Sequence, residues 1–302
     1  MDLVVGATGY LGSTLCRALR AKGRNVRGLV RRSSDPAKVA ALRDAGVETV
    51  IGDLKDPASL ATACNGVPVV LSTASSTLSH EEGDTIESVD RQGQLSLIEA
   101  AKAAGVGHFI FVSFPEDSTS FPLQDAKRSV ETALRHSGMD FTILHPTHFR
   151  EIWLSPALGF NPAEGRVRIF GDGKGTISWV GLEDVAAAAV AALDNPKALN
   201  RTFPLGGRRS LSMSGVVELL EKTAGRSFER EIVPLADLQA MIRADDPLTR
   251  SFGALMLICA GHDWTIDSRD AEDALGFQPS PIESHIADLL ASNGSVEKKT
   301  VV

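Results

Sequence analysis

The sequence predicts an α/β protein with a doubly wound parallel sheet in its first half and a smaller, less regular C-terminal lobe. Three observations carry that reading. Short β-branched runs alternate with helical stretches from the first residues onward, the sequence sign of βαβ units. A turn with glycines at every third position lies between the first strand and the first helix. All three tryptophans, Trp153, Trp179 and Trp264, fall after that alternation loosens.

The expected strands are residues 3–5, 26–30, 48–51, 67–72, 108–113 and 140–145. Helices are expected at 10–22, 36–45, 57–63, 85–104, 124–137 and, later, 182–193. Asp35 before Pro36 and Asp56 before Pro57 read as N-caps followed by a proline at the first helical position. Gly23, Gly46, Gly105 and Gly138 each follow a helix, where a left-handed terminal residue costs glycine little. Residues 1–150 therefore form the sheet domain, with a helix at 181–195 returning to it. Residues 151–180 and 196–291 make the second lobe, and 292–302 a frayed tail.

Composition narrows the function classes. The 302 residues carry a formal charge of -7, and a pI near 5.5 argues against a nucleic-acid partner, which a clustered basic excess would signal. Cys16, Cys64 and Cys259 are odd in number and set among apolar residues, as buried thiols in a reducing compartment would be; neither a disulfide framework nor a metal site is readable. No apolar run reaches the roughly 20 residues of a membrane span. The chain opens directly on a Val-rich strand without a leader pattern, so a cytoplasmic location is expected.

The strongest motif is Gly6-Ala7-Thr8-Gly9-Tyr10-Leu11-Gly12. Glycines there let the backbone turn tightly, approach a pyrophosphate and aim a helix N-terminus at its charge, so a Rossmann-type dinucleotide site is expected. Arg31 and Arg32 close the second strand where an NAD-binding protein would place an acid, and a guanidinium pairs well with a 2′-phosphate. NADP(H) is therefore the expected cofactor. Asp53, followed by Leu54, either contacts the adenine or caps its own turn.

Together with the segments 89–104, 108–113 and Ile177-Ser178-Trp179-Val180, the glycine loop and Gly52-Asp53-Leu54 resemble the NmrA-like atypical short-chain dehydrogenase/reductases over roughly residues 1–290. That group holds isoflavone-reductase-like and quinone-reductase-like enzymes, and also redox sensors that bind NADP without turnover. The resemblance implies that Thr8, Tyr10 and Leu11 support the pyrophosphate and that Thr73, Ala74 and Ser75 line the cofactor. It further implies that Ser113, Phe114, Pro146, Thr147, His148 and Phe149 border the nicotinamide.

Tyrosine-dependent members of the superfamily place Tyr-x-x-x-Lys on a helix. Here the segment reads Leu123-Gln124-Asp125-Ala126-Lys127, and the one tyrosine of the chain is Tyr10, in the glycine loop. A tyrosine mechanism is excluded by composition. Lys127 remains as the family's lysine, against the plainer reading of an exposed helix lysine pairing with Glu131. His148, on the loop after the sixth strand, and Ser113 are the other candidate catalytic groups, while alternation places His145 inside the strand. Phe114, Leu123, Phe149, Trp153, Trp179, Met256 and Trp264 form an expected apolar pocket, suited to a small carbonyl, quinone or conjugated aromatic acceptor. The expected activity is NADPH-dependent reduction. Its alternative is an NADP-binding sensor that presents a surface to a regulatory protein.

Overall fold

The computed structural model describes residues 1–79 and 81–297. The chain begins with β1 (Asp2–Val5), α1 (Tyr10–Ala21), β2 (Val26–Val30), α2 (Pro36–Asp44), β3 (Glu48–Ile51), α3 (Pro57–Cys64) and β4 (Val69–Ser72). A π-helix (Ile86–Gly93) then runs into α4 (Gln94–Ala103), followed by β5 (His108–Val112), α5 (Pro122–Arg135) and β6 (Asp140–Pro146). After these come α6 (Arg150–Trp153), β7 (Phe160–Asn161), β8 (Arg166–Phe170), β9 (Thr176–Ile177), α7 (Leu182–Ala191) and β10 (Arg201–Leu205). The chain closes with β11 (Leu211–Ser212), α8 (Met213–Ala224), β12 (Glu229–Val233), α9 (Leu235–Met241), α10 (Pro247–Gly261), α11 (Arg269–Leu275) and α12 (Ile282–Glu297).

Contacts divide the chain into two units. Among the described residues the first comprises 1–145, 182–204 and 268–277, and the second 146–181, 205–267 and 278–297. Sequence reading and structure part at four places. Residues 201–205 supply a seventh strand to the first unit's sheet, which the proline at 204 hid; an edge position tolerates it, because one face of an edge strand needs no N–H donor. Helix α11 also belongs to the first unit, where Asn195 donates to Ala274 O at 2.8 Å and Arg201 pairs with Asp270. Residues 146–150 go with the second. Of the tail expected at 292–302, helix α12 carries the backbone to Glu297, and 298–302 lie outside the described residues.

In the first unit the strand order is β10-β6-β5-β4-β1-β2-β3, with β1 to β6 parallel. Strand order reverses between β1 and β4, and open α/β sheets bind ligands at the carboxyl ends of strands at such a point. The capping residues do what their sequence implies: Asp35 accepts from Ala37 N at 2.8 Å and Asp56 from Ala58 N at 3.1 Å. Leu3, Val70, Leu97, Phe109, Phe111 and Val130 lie in one buried core. The helix expected over 85–104 is not continuous α-helix. Its first two turns are π-helical, opened by a reciprocal Thr85–Ser88 capping box, and bury Ile86, Val89, Asp90 and Gly93. A helical apolar rhythm is compatible with either winding, so the sequence does not separate them.

The second unit holds a three-stranded sheet, β12-β8-β7, and the pair β11-β9. Its interior is aromatic: Trp179, Phe160 and Phe170 are buried to 2% exposure or less. All three cysteines of the chain are free and buried. Among the described residues no helix is long and apolar enough to cross a membrane, and no cluster of metal-ligating side chains occurs.

Candidate active site

The three loop glycines are small for different reasons. At Gly6, φ is +86°, and a Cβ would come 2.8 Å from Thr73 Oγ1 and 2.9 Å from Ala74 N, so the turn is pressed against the end of β4. At Gly12 a Cβ would lie 2.0 Å from Gly6 O. Those two are demanded by the chain's own packing. Gly9 has an ordinary φ of -75° and would bring a Cβ only to 3.2 Å from Gly6 O, a contact a small shift relieves. It is the N-cap of α1 and offers no side-chain cap, so the first amides of the helix, from Tyr10 and Leu11, point outward with the helix dipole behind them. An anion fits that cradle, and Thr8 and the exposed Tyr10 flank it.

A cavity of about 190 Å³ opens beside Gly9, lined by Thr8, Tyr10, Ser13, Arg17 and Lys38 among others. Arg17 and Lys38, on α1 and α2, escaped the sequence reading, because only the fold brings two helices' cations to one loop. Arg32 is exposed. Arg31 is half-buried and paired through Nη1 with Asp84 at 2.5 Å and Glu81 at 3.4 Å. Asp53 accepts from Lys55 N at 2.8 Å, which is the turn-capping role, and Leu54 is buried. At the end of β4, Thr73 Oγ1 donates to Val5 O and Ser75 Oγ lies 3.2 Å from Thr77 Oγ1; Ala74 O accepts from Gln94.

Lys127 is 5% exposed, which rules out the surface-lysine reading. From α5 its ammonium donates to Val112 O at 3.3 Å, sits 4.9 Å above the Phe111 ring and lies 3.8 Å from Asp90 Oδ1. Asp90 is fully buried on the π-helix; its Oδ2 accepts from Ser76 N at 2.9 Å and Ser76 Oγ at 2.6 Å. Its Oδ1 has no hydrogen-bond partner, since 3.8 Å is an ion pair and not a hydrogen bond. A buried donor with unused N–H groups thus faces a buried acceptor with an unused oxygen. A ligand hydroxyl that reached them could accept from the one and donate to the other. Burial pushes the Lys127 amine down, while Asp90 and Glu131 push it back up.

Ser113 follows β5 and is 6% exposed. Arg128 Nη2 donates to Ser113 Oγ at 3.3 Å and to Phe114 O, and Nη1 pairs with Glu131 at 3.0 Å. Glu131 Oε1 also lies 2.8 Å from His145 Nε2, a satisfied core histidine, as strand alternation implied. Burial lowers the His145 pKa and the Glu131 contact opposes it. Burial alone would raise Glu131; its contacts with His145, Ser113 and Arg128 outweigh that and hold it anionic. At the tyrosine position Leu123 is 4% exposed, and Phe114 stacks on Phe121 with centroids 5.8 Å apart.

The NmrA-like family matches residues 3–286. The chain belongs to that family. It is 32% identical to a photosystem II assembly factor Ycf39 from Trieres chinensis over 77% of this chain and 72% of the relative. It is 33% identical to an NAD(P)H azoreductase from Xenophilus azovorans over 75% and 74%. Among solved structures, the NADPH-dependent quinone oxidoreductase QOR2 of Escherichia coli, complexed with NADPH, superposes with a TM-score of 0.77 at 25% identity. That superposition covers 96% of this chain and all of the other. The NmrA-like chain described here is thus of Rossmann type, as its glycine loop implied.

Several expected site residues sit in the second unit and are packed there in ways that correct the sequence reading. His148 is 3% exposed, not on an open loop. Its ring lies 4.2 Å from Trp153, 5.9 Å from Trp179 and 5.0 Å from Trp264, centroid to centroid. Nε2 donates to Leu255 O at 3.3 Å and Nδ1 has no partner. Burial pushes its pKa down to about 3, so it is neutral at physiological pH and holds no proton to give. The three tryptophans are 8%, 1% and 8% exposed and form the wall of this core; Trp179 Nε1 donates to Leu211 O at 2.8 Å. They are not free pocket lining. Thr147 is buried with its hydroxyl on Ser178 O, and Pro146 is buried beside it in sequence. Phe149 and Met256 are half-buried.

Proposed function

We propose that the protein reduces a small apolar carbonyl, quinone or conjugated aromatic acceptor at the expense of NADPH, with Lys127 and no tyrosine at the chemical step. The coarser statement is plain: the chain is an NADP(H)-dependent oxidoreductase. The observation that carries the finer one is a buried ammonium, held beside a buried carboxylate at the carboxyl end of β5, where the sheet binds its ligand.

When bound, the cofactor supplies the hydride. Everything else is done by side chains and backbone already in place. The outward amides of α1 hold the pyrophosphate, and Arg31 takes the 2′-phosphate, with Lys38 and Arg17 adding charge beside the loop. Negative charge that develops on the acceptor oxygen is stabilised by the Lys127 ammonium in a site of low dielectric. Asp90 favours the charged form of that ammonium while burial pushes the Lys127 amine down, and Lys127 is the group placed to pass a proton to the product. His148 takes no part. Phe114 offers a flat apolar edge, and the azo- and quinone-reducing relatives support a conjugated acceptor.

A second reading, an NADP(H)-binding factor without turnover that works through a protein partner, is supported by the 32% identity to the assembly factor Ycf39, against 33% to the azoreductase. NADPH consumption with a panel of quinones, azo compounds and aromatic aldehydes separates the two. The enzyme oxidises NADPH with at least one acceptor. Tight NADPH binding without oxidation by any of them favours the second reading.

A further inference from the structure

Arg31 enters the structure already engaged. Its Nη1 donates to Asp84 Oδ2 at 2.5 Å and lies 3.4 Å from Glu81. The Asp84 side chain is 2% exposed and accepts twice more, from Lys55 Nζ and from Ser79 Oγ, each at 2.5 Å. Arg31 follows β2, Lys55 follows β3, and Ser79, Glu81 and Asp84 lie on the connection after β4. One buried carboxylate therefore ties together the segments that follow β2, β3 and β4, across β1, which lies between β4 and β2 in the sheet.

The geometry of the guanidinium decides what that carboxylate does. Arginine carries five N–H donors in a fork, and its two-toothed edge suits phosphate. A carboxylate that competed for this edge would bind it bidentately. Asp84 instead holds Nη1 alone, and among the described residues no partner is recorded for Nε or Nη2. The Arg31 side chain is 35% exposed, so the guanidinium is not sealed off from a ligand. Lys55 on the second Asp84 oxygen offsets the charge of that buried acid, while the partly exposed Glu81, 3.4 Å from Nη1, and Asp53, 4.0 Å from Lys55, lie nearer solvent, where their fields are screened. Burial would raise the Asp84 pKa, but the hydrogen bonds from Lys55, Ser79 and Arg31 outweigh it and keep the group ionised.

We infer that Asp84, charge-balanced by Lys55, is a positioning residue for cofactor selection: it fixes Arg31 by one nitrogen and leaves the Nε–Nη2 edge for the 2′-phosphate that separates NADPH from NADH. This rests on Arg31 being the 2′-phosphate ligand.

Calorimetric titration of the full chain with NADPH, NADH and 2′,5′-ADP tests it. Arg31→Ala establishes the underlying reading through a selective loss for the two 2′-phosphorylated ligands; equal losses with NADH would overturn that reading and this inference with it. Given that selectivity, Asp84→Asn keeps the shape and removes the charge. It should weaken NADPH and 2′,5′-ADP by about five- to tenfold, less than the loss of a whole charge-assisted contact because Arg31 is still present, with NADH changed by no more than about twofold. In the Arg31→Ala background it should add nothing. Tighter NADPH binding by Asp84→Asn would make the acid a competitor of the phosphate. Equal losses for NADPH and NADH would make it a fold element only. Either result overturns the inference while leaving Arg31 in its role.

Discussion

Two histidines three residues apart, His145 and His148, show how differently the two units treat a buried polar group. His145 ends in the first unit against Glu131, which Arg128 and Arg135 also hold, so every charge there has an opposite charge within about hydrogen-bond reach. His148 begins the second unit's aromatic core, with one long hydrogen bond, one orphan nitrogen and three indoles around it. The first arrangement keeps Glu131 ionised between its arginines, beside a histidine whose own pKa burial lowers. The second removes the charge altogether. A buried polar network that retains charge can act on a developing charge in a reaction, whereas a desolvated neutral imidazole is a packing element with a polar edge.

Trp179→Ala is the strongest way to break this comparison. As an inner wall of the second unit, the indole leaves a cavity, and stability to urea should fall by about 3–5 kcal/mol. A variant of unchanged stability with a selective loss of acceptor binding would instead make Trp179 pocket lining.

A smaller effect sharpens it. The folded His148 pKa, near 3, lies below the roughly 6.5 of an unfolded histidine. Below about pH 6.5 the unfolded chain takes up a proton that the folded one refuses, so this residue's contribution to stability falls steadily as pH drops toward 3; above 6.5 both states are neutral and nothing is lost. His148→Gln keeps a donor for Leu255 O and removes the titration. Between pH 7 and pH 5 its urea midpoint should fall less than that of wild type. Parallel slopes would show that His148 is not held neutral.

How much of this was legible beforehand depends on how local the signal is. The glycine loop, the Asp-Pro caps and the lost tyrosine are written within a few residues, and the alternation of strand six placed His145 correctly. Asp90 was not legible. In Glu87-Ser88-Val89-Asp90-Arg91 an acid reads as a solvated helix residue, and only the π-helical winding and the Ser76 hydrogen bonds bury it beside Lys127. Lys38 and Arg17 become neighbours of the loop only through helix packing. For His148 and the tryptophans the sequence left a packing role beside the site role, and did not decide between them, for a related reason. Aromatic residues in an irregular segment look the same in sequence whether they line a pocket or fill a core, and burial alone tells them apart.

The central claim is that the charged pocket around Lys127 performs the chemistry, and single-turnover NADPH oxidation by Lys127→Met, on whichever acceptor the wild-type enzyme reduces, tests it most directly. Removing the buried cation leaves Asp90 without its counter-ion, so stability should fall by about 3–5 kcal/mol and the rate is read on protein shown by circular dichroism to be folded. Hydride transfer should slow by about 10²–10³, the usual cost of one electrostatic stabiliser, with NADPH affinity only modestly reduced. A Lys127→Met protein that turns over at the wild-type rate would contradict the account.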